Sequence, residues 1–230
     1  MSRLGKYFLV ILIFALSQTA LAVVLPKRDQ VVKKASDLLD TWSVSYVYGG
    51  SKLGDPEHCD ACNTCLDRMK SGPKERLTDC PVCNKCSLDC SHYTYEVFKQ
   101  AGLSATYLTT SLMNNLSPQE LAGRYKLLDI GSKISRAMPG DLLVYNGHVV
   151  LLEKKYPDGL HGDVIHSTSG RELRGPGNGI QRERRASLQN FRGPVLRVLR
   201  HLDLAKEMRD FYIQLRTGSV NTGKPIPTHE

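Results

Sequence analysis

The sequence predicts an α+β fold, on three observations. Apolar residues recur at helical spacing near residues 31–42 and 90–101, apolar runs broken by hairpin turns fill 141–168, and six cysteines crowd a stretch between them that is otherwise poor in apolar residues. The 230-residue length suits one globular domain with additions.

The first residues read as an export signal. Arg3 and Lys6 precede the uncharged run YFLVILIFAL, and SQTALA ends in the small-residue pattern Ala20-Leu21-Ala22, so residues 1–22 are predicted to be a signal peptide cut after Ala22. Residues 7–26 are long enough to span a bilayer as an uncleaved anchor, but Ser17, Gln18 and Thr19 in their second half argue against it. The expected location is therefore periplasmic or secreted, with no stable membrane insertion once the signal is removed.

In the mature chain, Val31, Ala35, Leu38, Leu39 and Trp42 form a helical stripe, with Asp29 placed to cap its start. SVSYVYGG follows as a short β-prone run stopped by two glycines. Residues 51–88 carry all the cysteines but one, with Asp-Pro and Gly-Pro punctuation, and read as a cross-linked insertion. In DCSHYTYEVFKQAGL a second helix is predicted, with Cys90, Thr94, Val97 and Ala101 on one face and Gly102 as terminator. Residues 103–138 give one short helix after Ser117-Pro118. The run from Gly140 to Gly170 then reads strand, Asn146-Gly147 turn, strand, Tyr-Pro-Asp-Gly turn, strand. VLRVLR suits a last strand, and Leu204, Met208, Phe211 and Leu215 a final helix before a tail expected to be disordered. The main domain is thus 23–200, with the insert at 51–88 and a helix and tail over 201–230.

The formal charge is +8, falling to +6 without Arg3 and Lys6. Arginines 171, 174, 182, 184, 185, 192, 197 and 200 face only Glu172 and Glu183 in that stretch, which is either a solvated surface or an attractor for an anionic polymer such as cell wall. Nucleic acid is not an expected partner, because the chain carries no recognisable binding motif.

Seven cysteines in an exported chain leave one unpaired. Cys59, Cys62 and Cys65, with Cys80, Cys83 and Cys86, form two CxxCxxC triplets. Three disulfides across the triplets are expected in an oxidising compartment. The alternative is structural zinc, since Cys62, Cys65, Cys80 and Cys83 resemble a zinc-ribbon quartet. No cofactor is otherwise expected.

Cys90 is the seventh. At a helix start it sits in the field of unpaired backbone N–H groups, which favours the thiolate and a nucleophilic role, although a buried or disulfide-bonded cysteine would also fit that position. A thiolate needs a base. His148 directly follows the Asn-Gly turn, and if the next turn folds the chain back with paired positions summing to about 315, His148 faces the neighbourhood of His166 and Ser167. A second polar group there would hold the base in its useful tautomer.

YVYGG, DCSHYTYEVFKQAGL, PGDLLVYNGHVVLLE and DVIHSTSG resemble, in order, the blocks of the NlpC-like papain-fold cell-wall cysteine peptidases, over roughly residues 29–200 without the insert. The resemblance implies a papain-like domain in which a nucleophile-bearing helix packs on an antiparallel sheet. It implies Cys90 as nucleophile, His148 as base and His166 as the residue orienting it. It places the Cys90 backbone and the region of Tyr48 at the oxyanion site, and Asp89 and Ser91 along the cleft. Two departures are His92, where a small residue is more usual, and the long insert. The expected function is an exported peptidoglycan endopeptidase acting on stem peptides, with peptidoglycan or its fragments as partner. The alternatives are an amidase or acyltransferase on another acyl substrate, or a non-enzymatic cell-envelope binding module built around the insert.

Overall fold

A computed structural model of the chain describes residues 26–41, 43–69, 77–169 and 179–217. The predicted signal, Trp42, Arg171, Glu172, Arg174 and the tail from 218 onward lie outside the described residues.

The first helix, α1 (Lys27–Thr41), begins two residues before Asp29. Its opening donors need no local cap, because the backbone N–H groups of Lys27 and Arg28 donate to the Glu207 carboxylate (2.7 and 3.2 Å), a tertiary contact that local spacing does not reveal. Residues 43–50 were expected to be β-prone but form no regular strand; they run alongside the chain that leads to Cys90, with Leu88 N–H donating to the Ser45 carbonyl and Asp89 N–H to that of Gly50. Two short strands follow the same alignment, β1 (Ser51–Lys52) and β2 (Ser87–Leu88), and close the neck of the insert. Gly50 has to be a glycine here, since a Cβ would come within 2.5 Å of Ser87 Oγ.

Inside the insert, α2 (Pro56–Arg68) starts on Asp55, whose side chain accepts the His58 N–H, with Pro56 at the first helical position. Spacing by three puts Cys59, Cys62 and Cys65 along one side of this helix. The 3-10 turn Pro81–Asn84 repeats every three residues, so it brings Cys80 and Cys83 onto one side as well. The bonds are nested: Cys59–Cys86, Cys62–Cys83 and Cys65–Cys80, all across the triplets. Val47, Leu66, Cys62, Cys80 and Cys83 make a small core of their own, while Cys59 and Cys86 join the main one. With every sulfur of the proposed zinc quartet in a disulfide, the zinc alternative is displaced, and no cluster able to hold a metal occurs among the described residues.

Beyond the insert come α3 (Cys90–Gln100), α4 (Thr110–Asn115) and α5 (Pro118–Tyr125), the last opened by a reciprocal capping box between Ser117 and Glu120. The strands are β3 (Leu127–Asp129), β4 (Leu142–Tyr145), β5 (His148–Lys155), β6 (His161–Thr168), β7 (Gly179–Ser187) and β8 (Arg197–His201), and the last described element is α6 (Leu202–Thr217). They form one antiparallel sheet in the order β3-β8-β4-β5-β6-β7. The Asn146-Gly147 turn joins Tyr145 to His148 as directly paired residues, with Gly147 at φ 71°.

Alternation divides the buried residues between two faces. Leu142, Val144, Val149, Leu151 and Ile165 pack with Val31, Ala35, Leu38, Tyr93 and Val97 of α1 and α3. Leu143, Tyr145, Val150, Leu152 and Val164 pack on the other side under Leu188, Val195 and Ile134. Among the described residues no helix is long and apolar enough to cross a membrane.

Among the described arginines of the basic stretch, Arg182, Arg192, Arg197 and Arg200 are engaged inside the fold. Arg200 makes a fork to the buried Asp141 (2.9 and 2.7 Å), Arg182 a fork to Glu153 (2.8 and 2.9 Å), and Arg197 reaches the Met113 and Leu116 carbonyls. Arg184 and Arg185 are the exposed ones on β7, the sheet's edge, where charged side chains guard against pairing with another chain.

Candidate active site

Asp89 sets the geometry at Cys90. As N-cap of α3 its carboxylate accepts the His92 N–H (2.8 Å) and the Ser91 hydroxyl (2.8 Å), and His92 Nδ1 lies 3.1 Å away. Burial would raise the pKa of this carboxyl, but the hydrogen bonds from His92 and Ser91 outweigh it and hold it below the ordinary value. Asp89 and Ser91 thus flank Cys90, engaged with α3 and with each other. The Ser91 hydroxyl also meets the Tyr107 hydroxyl at 3.2 Å, and the His92 ring stacks on Tyr107 at 3.8 Å.

Cys90 is the one free cysteine of the seven, and it is buried. Its sulfur accepts a hydrogen bond from the Val149 amide, one residue past His148. The β5–β6 ladder makes room for this contact. Its outermost pair on this side is Leu151 opposite Ile165, so 148–150 and 166–168 extend past the ladder, and the Cys90 sulfur takes up an amide at that open end. Burial pushes the Cys90 thiol up to about 11, with the Asp89 charge adding to the rise, while the Val149, Ser91 and Cys90 amides act against it. The thiolate expected from the helix start is therefore not the resting form, because desolvation exceeds the field of the N–H groups.

Pairing of β5 with β6 gives Leu151 opposite Ile165, a sum one above the predicted 315, which puts His148 and His166 diagonally on one face. Their rings meet edge to face, with His148 Nε2 2.7 Å from His166 Nδ1, leaving His148 Nδ1 as the nitrogen on the far side of the ring. Both imidazoles are held well below the ordinary histidine range, His166 to about 3, by burial first; His148 is lowered next by His166 and then by the Arg192 guanidinium, and His166 by Arg192. Arg192 is itself fixed by a 2.7 Å bond to Thr168 Oγ1, and the Phe191 ring lies edge-on to His166.

Two tyrosines of YVYGG behave differently. Tyr48 is 77% exposed and sits at the rim. Tyr46 is half-buried, and its hydroxyl is pushed up by burial and then by the nearby Cys90 and Asp89. The sequence favours Tyr48; residues 46 and 48 share one side of a regular extended chain, so alternation gives no signal for Tyr46, and the two part only because 43–50 is not a regular strand. Asp89, Ser91, Tyr46 and Tyr107 gather near Cys90, and Arg192 and Phe191 stand by the paired rings of His148 and His166; the Val149 amide links the two groups, and the six disulfide cysteines belong to neither. Neither a family model, nor a curated protein, nor a solved structure matches this chain.

Proposed function

We propose that this protein is an exported cysteine hydrolase of the papain-like, NlpC type, cutting peptide bonds in peptidoglycan stem peptides. The observation that carries the proposal is that the single free cysteine lies on the amide next to His148, whose ring is in turn bonded to a second buried histidine. Six cysteines in disulfides suit an oxidising compartment, in keeping with export.

The resting pair is a neutral thiol and a neutral imidazole. Such a pair reacts by general base catalysis: His148 takes the thiol proton as the Cys90 sulfur adds to the scissile carbonyl. His166 supports the imidazolium through its Nδ1 lone pair. Backbone N–H groups at the start of α3 and the Tyr46 hydroxyl are the donors available to the oxyanion. His148 then gives its proton to the departing amine, leaving a thioester on Cys90. Water adds to that thioester with His148 again as base, releasing the acid and restoring the thiol. An acyl acceptor other than water would turn the same steps into acyl transfer.

The test is Cys90→Ala, which should abolish muropeptide turnover with the melting temperature unchanged; turnover retained by this variant would remove Cys90 from the reaction. A second reading, a binding module built around the insert, is favoured by the depth of the Cys90 thiol. It predicts muropeptide binding without turnover.

A further inference from the structure

We propose that Gln181 is a positioning residue of this site: its side-chain amide accepts the Nε2–H of His166 from directly across the β6–β7 ladder, and so fixes the tautomer that lets His148 hold a proton. This rests on the reading of Cys90, His148 and His166 as the reacting group.

The register pairs His166 with Gln181, so both side chains stand on the same face of neighbouring strands, roughly 5 Å apart at Cβ. His166 is fully buried, and its Nε2 has no hydrogen-bond partner among the described residues. The same is true of Gln181 Nε2. Two buried polar atoms left unpaired on cross-strand neighbours are costly, and each is the other's nearest kind of remedy. A half-turn of the glutamine amide exchanges Nε2 for Oε1 without changing its shape, and presents an acceptor to His166.

Proton placement gives the pair a task. When the Cys90 proton is on His148, both nitrogens of that ring carry hydrogen, and Nε2–H donates to His166 Nδ1. His166 must then offer a lone pair at Nδ1. Burial and Arg192 keep His166 neutral, so its one hydrogen moves to Nε2. Without an acceptor there, this tautomer is disfavoured and the imidazolium on His148 loses its support.

The charged and titratable groups facing the two rings are few. His166 faces His148 on β5, Arg192 in the segment after β7, and the neutral Gln181 on β7. His148 faces His166 and Arg192, with Cys90 and Asp89 of the α3 start beyond the Val149 amide.

The experiment compares Gln181→Met, which keeps the length and removes the acceptor, with Gln181→Glu, which replaces the amide by a carboxylate. In the full oxidised chain, alkylation of Cys90 by iodoacetamide is followed against pH, since Cys90 is the only free thiol. Gln181→Met should slow alkylation near neutral pH by about tenfold, and on muropeptides lower kcat with KM little changed. Gln181→Glu stabilises the imidazolium, so the acid limb should move up by about one pH unit. Wild-type profiles in both folded variants, with His166→Ala displaced, would overturn the proposal. Failure of the wild-type protein to cut muropeptides would refute the proposed function instead, while the alkylation profiles still decide the role of Gln181.

Discussion

His148 Nε2 lies 2.7 Å from His166 Nδ1, just past the outermost pair of the β5–β6 ladder, Leu151 opposite Ile165. The β5–β6 ladder ends where the two rings meet. If His148 moves the proton and His166 only steadies it, removing them is unequal. His148→Ala should lower kcat/KM by about 10³-fold, and His166→Ala by about 10–100-fold. Equal losses in steady-state kinetics would argue that both rings exchange protons with substrate.

Burial of Cys90 gives a chemical signature that needs no substrate. With the thiol about two units above its ordinary value of 9.0, the thiolate fraction at pH 8 is about a hundredfold below that of a free cysteine. Alkylation of the native chain should be correspondingly slow and should accelerate on addition of denaturant. A native rate equal to that of the denatured chain would mean that the sulfur is solvated.

Acid stability follows from the two depressed histidines. Above pH 6.5 the rings are neutral in the folded and unfolded chains alike, and stability is unaffected. As pH falls below 6.5 the unfolded chain takes up protons that both folded rings resist, His166 until about 3, so unfolding is favoured progressively through that window. His201, also lowered chiefly by burial, adds in the same direction. The urea midpoint should fall between pH 7 and pH 4, and His166→Gln should flatten that dependence; a midpoint independent of pH in the wild-type chain would contradict the neutral buried pair.

The three disulfides are not equivalent in their distance from the site. Cys86 is four residues before Cys90, and its bond to Cys59 ties the residue before β2 to α2, whereas Cys65–Cys80 lies at the far end of the nested set. Replacing Cys59 and Cys86 by alanine should cost about 3 kcal/mol and reduce turnover, while replacing Cys65 and Cys80 should cost stability with turnover largely kept. Thiol counting on the denatured, unreduced protein should find one. Equal effects of the two pairs on turnover would mean that the insert does not frame the cleft.

Much of the sheet was readable because its turns announce themselves. Asn146-Gly147 and the Tyr-Pro-Asp-Gly turn fix the register of 142–168, and with it the approach of His148 to His166. β7 is not legible, since its run GIQRERRAS is dominated by charge and reads as a solvated surface or an attractor for an anionic polymer; an edge strand tolerates such residues because only one of its sides is paired. With β7 unseen, Gln181 could not be placed opposite His166. α2 was hidden for a different reason: Asp55-Pro56 was read as loop punctuation, although Asp at the cap and Pro at the first position also open helices. The thiolate expected at Cys90 failed on a quantity the sequence does not carry, the depth at which α3 begins.

The central claim is that Cys90 attacks a peptide bond of the cell wall, and mass spectrometry of defined peptidoglycan after digestion tests it most directly. The wild-type chain should release fragments with new peptide termini within the stem peptides, and Cys90→Ala should release none. Peptidoglycan recovered intact, or cut only in its glycan strands, would contradict it.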